Sequence, residues 1–469
     1  VNIHNSNAAP VGGIFGFFGG GKKTSRVQLG TTNDITTLVA YKSLDKAAGE
    51  AQFQTQSSQK SLGFFQRHVT VKNGDGYLDI NIASCAKRLG ISKQEVFEFA
   101  KQDQSQLFAN LEKINQGAPN FSAADYIKTS FYLEKNKGSI IEKMQTENKE
   151  TTYIRPTKEN GLPRAIQINR DGQVIIHFNK KKKGDRVLGE GSFKTVKFAW
   201  DLNKNQLIAV GKSRRIKNHT FDEIKELSEQ EVAFSNAFKG DPQVAQLTQL
   251  VEVEGKGKEK KLLFLQPIYS EGSLSTFLKK NDAIDIETKK ALALQMVTAC
   301  SRLEEKGVIH KDIKPDNFLV KKNDQNPPSY EVALADFGCA EWSTKKTGQA
   351  IGTLLFLSPE YFGVITNNTK LKDSDEIKNV TTNKHDAWAL GITLFEMFTG
   401  KLPIWCFSRA YKWSLNLQQK TVDDECGTVP EPFRFLVAAL LKVNPNQRRS
   451  AKEAIILYGK LLAPNLPNP

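Results

Sequence analysis

His310-Lys311-Asp312-Ile313-Lys314-Pro315-Asp316-Asn317 decides how this chain is read, and Asp336-Phe337-Gly338 follows it 24 residues after Asp312. Such an octet can arise by chance. An octet followed by Asp-Phe-Gly at this distance almost never does. Toward the N-terminus, Leu188-Gly189-Glu190-Gly191-Ser192-Phe193-Lys194-Thr195-Val196 is a glycine-rich turn that opens into the strand-like run Thr195 to Trp200. Leu207-Ile208-Ala209-Val210-Gly211-Lys212 is an apolar strand ending in lysine, 23 residues after Gly189. Phe221 to Phe238 carries helical spacing at Ile224, Leu227, Glu231, Phe234 and Phe238. The apolar strand Leu263 to Tyr269 then runs into Ser270-Glu271-Gly272-Ser273-Leu274. Toward the C-terminus stand Gly352-Thr353, Ser358-Pro359-Glu360, the run Asp386 to Ile392 continuing to Glu396 and Pro403, and Asn444-Pro445-Asn446-Gln447-Arg448.

Taken in this order, these motifs resemble those of eukaryotic-type serine/threonine protein kinases, over residues 183–462 or about 60% of the chain. The resemblance implies an α+β bilobal protein kinase fold, with a small β-rich lobe and a large α-helical lobe. It implies that Asp312 accepts the proton of the substrate hydroxyl, that Lys314 neutralises the transferring phosphoryl group, and that Asn317 and Asp336 hold Mg²⁺. Leu188, Gly189, Glu190, Gly191, Ser192, Phe193 and Val196 would then line the ATP phosphates. Gly189 and Gly191 keep side chains out of the way of the backbone N–H groups there. Lys212 would grip the α/β-phosphates with Glu231 as its partner, and the strand from Leu263 would read the adenine edge. Lys204 and Lys217 compete with Lys212, which is favoured because it ends an apolar strand. Glu226 and Glu229 compete with Glu231, which is favoured because apolar residues follow it at one, three and seven positions. The resemblance also implies a buried ion pair between Arg448 and Glu360, since a lone buried charge is costly.

Lys314 and Thr353 match the serine/threonine form of these segments, so the implied activity is ATP- and Mg²⁺-dependent phosphorylation of protein hydroxyls. Three positions depart from the pattern. Lys194 replaces the third glycine of the loop, and Gly211 replaces an apolar residue before the lysine. Those two point to the alternative of a nucleotide-binding pseudokinase scaffold. Lys311 stands where an arginine commonly receives an activation-segment phosphate. Lysine lacks the bidentate fork, so activity without phosphate on Ser343, Thr344 or Thr347 is expected.

Net charge is +15 and the sequence pI is about 9.3, which raises the prior for anionic partners. Lys180-Lys181-Lys182-Lys183 supplies part of this and reads as a solvated linker. Cys85, Cys300, Cys339, Cys406 and Cys426 show no paired spacing, which fits a reducing compartment without a zinc site. Cys339, beside Asp-Phe-Gly, reads as a passive small side chain. The apolar run Val11 to Gly20 is too short to span a membrane and lacks the order of a signal peptide. A cytoplasmic protein is expected, and the divergent N-terminus would suit an effector secreted into a host cytoplasm by an intracellular bacterium.

Residues 1–60, dominated by Gln, Ser, Thr, Asn and Gly, read as flexible. Residues 61–150 read as a mostly helical accessory module. Ser92-Lys93-Gln94-Glu95 is a capping box, and Val96, Phe99, Leu107, Leu111 and Ile114 fall on one face of the helix after it. Asn73 to Asp79 resembles part of a calcium loop, but Val71 and Ile82 stand at its first and last ligand positions, so a turn is expected. Ala83 to Ser92 resembles a helix-turn-helix core. A DNA-binding regulator acting through residues 77–115 is therefore the rival from another class, although nucleic acid is not the expected partner. A docking partner through residues 61–150 is expected, so a chain starting near residue 151 should keep generic activity. Residues 151–182 read as a linker with a β-hairpin around Asp171-Gly172, 183–462 as the kinase domain, and 463–469 as a disordered tail. Two polar insertions, Lys322 to Tyr330 and Phe362 to Lys384, are placed on the surface.

Overall fold

A computed structural model describes residues 41–117, 121–157, 162, 165–178, 187–190, 194–213, 220–254, 260–281, 284–323, 328–349, 351–367, 375–407 and 417–462. The chain divides into two compact units at Phe108/Ala109. Among the described residues no helix is long and apolar enough to cross a membrane.

The first unit contains β1 (Tyr41–Leu44), α1 (Lys46–Ser58), β2 (His68–Asn73), β3 (Gly76–Asn81), α2 (Ile82–Leu89) and α3 (Lys93–Ala100). Its strands form an antiparallel sheet in the order β1-β3-β2. The calcium-like stretch is the turn Gly74-Asp75 between the paired Asn73 and Gly76. One expectation is corrected here, because the segment expected to be flexible contains α1. The module at 61–150 is mostly helical and also carries β2 and β3 of the sheet. Polar composition hid α1, whose buried residues are only Gly49, Phe53 and Gln56. Gln56 is buried without cost because it caps backbone groups: its Nε2 donates to Thr70 O (2.9 Å) and Ala100 O (3.0 Å), and Thr70 N donates to its Oε1 (2.8 Å).

The capping box at Ser92 forms, with Ser92 N donating to Glu95 Oε2 at 2.7 Å. The helix it opens is shorter than the apolar spacing suggested. It stops at Ala100, and α4 (Ser105–Gly117) restarts after Asp103, whose carboxylate accepts from Ser105 N at 2.9 Å. The break rotates the buried face, so Phe97 is fully buried while Phe99 and Leu107 are only partly so. Gly90, left-handed at φ 70°, closes α2 and packs it against α3.

In the second unit, α5 (Ala123–Thr146) precedes β4 (Thr151–Ile154), β5 (Ala165–Asn169), β6 (Val174–His177), β7 (Val187–Glu190), β8 (Lys194–Asp201) and β9 (Gln206–Ser213). Helix α6 (Phe221–Ala237), β10 (Gln249–Glu254) and β11 (Lys260–Gln266) follow. One sheet runs β10-β11-β9-β8-β6-β5-β4, and β7 also pairs with β8. The hairpin read around Asp171-Gly172 is β5–β6, and it extends this sheet because β6 pairs with the far end of β8. Its two edges approach each other, where Asn169 Nδ2 donates to Gln249 Oε1 at 3.2 Å. One face buries Ile166, Ile168 and Val174 against Leu133 of α5. The opposite face buries Ile175, Ala199, Val210, Val251 and Leu263. Helix α5 therefore belongs with the sheet, and a boundary at residue 150/151 would separate partners of one core.

The helical part holds β12 (Gly272–Ser273), α7 (Leu274–Lys280), α8 (Ile286–Glu305), β13 (Val308–Ile309), β14 (Phe318–Asn323), β15 (Ser329–Leu334) and β16 (Glu341–Trp342). It ends with α9 (Pro359–Asn367), α10 (Asp375–Val380), α11 (Asn383–Thr399), α12 (Gln419–Cys426), α13 (Arg434–Leu440) and α14 (Ala451–Leu462). Every residue of α11 from His385 to Phe395 is buried, as expected of a helix that is apolar all round. Of the two insertions, residues 324–327 and 368–374 lie outside the described residues, as do the lysine run at 180–183 and the tail after Leu462.

Candidate active site

Residues 310–317 form a loop between β13 and β14, and a buried acid of α11 fixes its start. Asp386 Oδ2 accepts His310 N–H at 2.6 Å, and its Oδ1 accepts Lys311 N–H at 2.9 Å. Burial pushes the Asp386 carboxyl up to about 7, while these two N–H bonds pull the other way. His310 is fully buried, which lowers its pKa and keeps the ring neutral. A neutral imidazole protonated on Nε2 satisfies both its neighbours. Nε2 lies 3.1 Å from Ala335 O, and Nδ1 lies 3.4 Å from Asp312 N.

Asp312 is the most constrained carboxylate of the loop. Its Oδ1 accepts from Thr353 N (3.0 Å) and Thr353 Oγ1 (2.6 Å). Its Oδ2 accepts from Lys314 Nζ (2.6 Å) and Asn317 Nδ2 (3.1 Å). Burial opposes the charge, but Lys314 and Thr353 together hold this carboxyl below the ordinary aspartate range. Lys314 Nζ also reaches Thr353 Oγ1 at 2.7 Å. Asn317 Nδ2 donates to Asp312 O at 2.7 Å, which identifies the donor end of the amide and turns its oxygen away as the end suited to a cation. Thr353 can come this close because Gly352 precedes it. Gly352 has φ 134°, and a Cβ there would stand 2.7 Å from Lys311 O.

Asp336 is exposed and left-handed at φ 65°, a conformation that costs a non-glycine residue about 1–2 kcal/mol. Its neighbour supplies the compensation. Phe337 is buried, its ring 5.0 Å from His310 and stacked at 6.2 and 6.1 Å on Phe234 and Phe238. That aromatic packing anchors the turn against α6 and leaves Asp336 facing outward. Cys339 is not a reactive thiolate, since burial pushes it up to about 12.

Lys212 lies on β9, paired with Thr195 of β8 and Leu263 of β11, and shares a face with Ile208 and Val210. Lys204 sits exposed in the turn between β8 and β9, and Lys217 lies outside the described residues. Glu231 is buried on α6, whereas Glu226 and Glu229 are exposed. Leu227, read as part of the buried face, is 40% exposed. Leu188, Gly189 and Glu190 form β7, and Val196 pairs with Gly189, whereas Gly191, Ser192 and Phe193 lie outside the described residues.

Two residues that the sequence reading did not place in the site also shape it. Asp386 was legible only as part of a helix motif, yet a carboxylate inside an otherwise apolar helix is itself a signal of a buried acceptor role. Glu341 carried no such signal. Its Oε1 accepts from Lys311 Nζ at 2.7 Å, and the lysine side chain is fully buried.

The protein kinase domain family model matches residues 183–456, more than half of the chain. The serine/threonine-protein kinase cds1 of Schizosaccharomyces pombe is 27% identical over 305 residues, covering 62% of this chain and 61% of that protein. The serine/threonine-protein kinase RAD53 of Saccharomyces cerevisiae is 26% identical over 337 residues, covering 69% of this chain and 37% of that protein. The chain thus spans less than two thirds of the length of either. The liver/testis phosphorylase b kinase gamma catalytic chain of Bos taurus is 23% identical over 297 residues, covering 61% of this chain and 68% of that protein.

Proposed function

Because this chain belongs to the protein kinase domain family, we propose that it transfers the γ-phosphoryl group of ATP to serine or threonine hydroxyls of a protein. The observation that carries this reading is the Asp312 carboxylate, ionised and fixed from both sides, with the Lys314 ammonium 2.6 Å from one oxygen. In this role Asp312 orients the acceptor hydroxyl and takes its proton as the oxygen attacks phosphorus. Lys314 neutralises the charge that develops on the phosphoryl group. Thr353 holds the carboxylate and marks the serine/threonine form of the site. Mg²⁺ would be held by the Asn317 amide oxygen and the Asp336 carboxylate, and would offset the triphosphate charge. Lys212 binds the α/β-phosphates, with Glu231 as its partner, beside the Val196 strand. The setting proposed is a cytoplasm, its own or that of a host receiving it as an effector, where the five free thiols stay reduced.

The test is phosphate transfer from labelled ATP to a generic basic protein in the presence of Mg²⁺. Nucleotide binding without transfer would favour the scaffold alternative. Within this test, Lys212→Met lowers turnover by about 10²–10³-fold with an unchanged thermal midpoint, in line with the loss of one charge-stabilising group. Lys204→Met stays near wild type. If Lys204→Met is the inactive variant, the strand assignment is wrong.

We further propose that the first unit docks a partner or substrate, because the second carries every residue needed for chemistry. A chain shortened to residues 109–469 keeps its turnover of the generic protein. It loses cognate-to-generic preference by about tenfold or more, since docking raises effective concentration. An unchanged ratio would rule docking out. Shortening to residue 151 is a different experiment. It strips α5 from Ile166, Ile168 and Val174, and lowers stability by roughly 5 kcal/mol, given about 1.5–3 kcal/mol per buried aliphatic side chain.

A further inference from the structure

Lys311 has no free charge to offer. Its ammonium sits 2.7 Å from Glu341 Oε1 and 3.4 Å from Gln349 O, and its side chain is fully buried. Glu341 is itself buried, and its other oxygen, Oε2, has no hydrogen-bond partner among the described residues. Thr347, on the exposed segment that follows, donates its hydroxyl to the same Glu341 Oε1. The anion that an activation-segment phosphate would supply is therefore already part of the chain. A phosphate arriving at Thr347 would meet a neutralised cation and a buried carboxylate with one uncompensated oxygen. Lys346 Nζ is engaged on Lys378 O at 2.9 Å, and the ion pair that Glu341 makes among the described residues is with Lys311.

We propose that Thr347 is a phosphorylation site at which the modification inhibits, because the added negative charge is repelled by the Glu341 carboxylate that the Thr347 hydroxyl contacts. In the modifying step the Thr347 oxygen bonds to the γ-phosphorus of a nucleoside triphosphate. The bond to the departing diphosphate breaks, and the hydroxyl proton passes to the modifying kinase. The disturbance has a short path to the site. Gln349 O is held by Lys311 Nζ and by the Tyr361 hydroxyl (3.2 Å), and Ile351 N donates to that hydroxyl at 3.1 Å. Gly352 and Thr353 follow directly, and Thr353 holds Asp312. Phosphate brings a charge of about −2 beside a carboxylate whose buried cation, Lys311, is already paired, so repulsion displaces the segment.

The effect on activity rests on the proposed phosphotransfer, so the experiment has a second readout. Full-length chain is made with threonine, glutamate, valine or genetically encoded phosphothreonine at position 347. It is assayed for transfer to a basic protein and for amide hydrogen exchange over residues 343–353. Phosphothreonine and Thr347→Glu lower turnover at least about tenfold and speed exchange, whereas Thr347→Val stays within about threefold and phosphatase treatment of the wild type costs little. Glu341→Gln frees Lys311, so the double variant Glu341→Gln/Thr347→Glu exceeds either single variant by about threefold or more. Activation by the phosphate overturns the proposal. So does unchanged exchange in the phosphothreonine chain, or a double variant no better than the singles. If the wild type transfers no phosphate at all, the kinase reading fails, and the exchange arm alone still decides whether phosphate at Thr347 releases the segment.

Discussion

Asp312→Ala abolishes phosphotransfer, by about 10³-fold or more, with the fold retained. The alanine removes the proposed acceptor for the substrate proton and also the anchor of four donors: Thr353 N, Thr353 Oγ1, Lys314 Nζ and Asn317 Nδ2. Lys314 is left partly buried beside the threonine hydroxyl, so a stability loss of about 1–3 kcal/mol accompanies the change. Asp312→Asn separates the two effects, since an amide oxygen keeps one anchor but cannot take the proton. Asp336→Ala gives a comparable loss of transfer by a different route. It removes the carboxylate assigned to Mg²⁺, and because alanine keeps a Cβ in a left-handed position that aspartate tolerates better, its thermal midpoint should fall slightly, by far less than the loss of transfer. Labelling by purified Asp312→Ala at more than a few per cent of wild type would remove Asp312 from its role.

That the candidate loop brings Asp312, Lys314 and Asn317 together was legible because its parts are local. Asp312, Lys314 and Asn317 lie within six residues, and a short loop between two strands leaves few ways to arrange them. Lys212 and Glu231 could be chosen by strand position and helix face, and burial separates Glu231 from its exposed neighbours Glu226 and Glu229. The rest depended on contacts between distant segments. Lys311 and Glu341 are 30 residues apart and meet only because β16 pairs with β13. Helix α5 carries its own capping box at its N-terminus, where Ser122 N donates to Asp125 Oδ2 and Asp125 N donates to Ser122 Oγ. Its partner is a hairpin that begins at Ala165, so sequence order alone assigned it to the wrong neighbour. The break between α3 and α4 was missed because apolar spacing continues through Asp103, where side-chain capping by that aspartate outweighs propensity. The helix α1 went unread because its single large buried apolar residue, Phe53, gives no periodicity to detect.

Among single substitutions, loss of one partner of the Arg448–Glu360 pair has the largest expected effect on stability. Arg448 is 1% exposed, and all five of its N–H donors meet an acceptor. Nη1 reaches Glu360 Oε1 at 2.7 Å and Lys384 O at 2.8 Å. Nη2 reaches Glu360 Oε2 at 2.9 Å and Val443 O at 3.2 Å, and Nε reaches Lys442 O at 2.8 Å. The guanidinium also lies 4.9 Å from the ring of Trp388. Glu360→Gln leaves a buried cation without its counterion, which costs about 3–5 kcal/mol and lowers the thermal midpoint by on the order of 10 °C. Arg448→Lys costs nearly as much, because three donors on a flexible stem cannot replace a five-donor fork. Arg448→Met/Glu360→Leu should be more stable than Glu360→Gln, since removing both charges also removes their desolvation cost. The carbonyls of Lys384, Lys442 and Val443 would still lose their donor, so recovery falls short of wild type. Calorimetry on the single and double variants measures the coupling directly. A Glu360→Gln midpoint within about 2 °C of wild type would mean that the carbonyl cage alone holds the arginine, and that the ion pair contributes little.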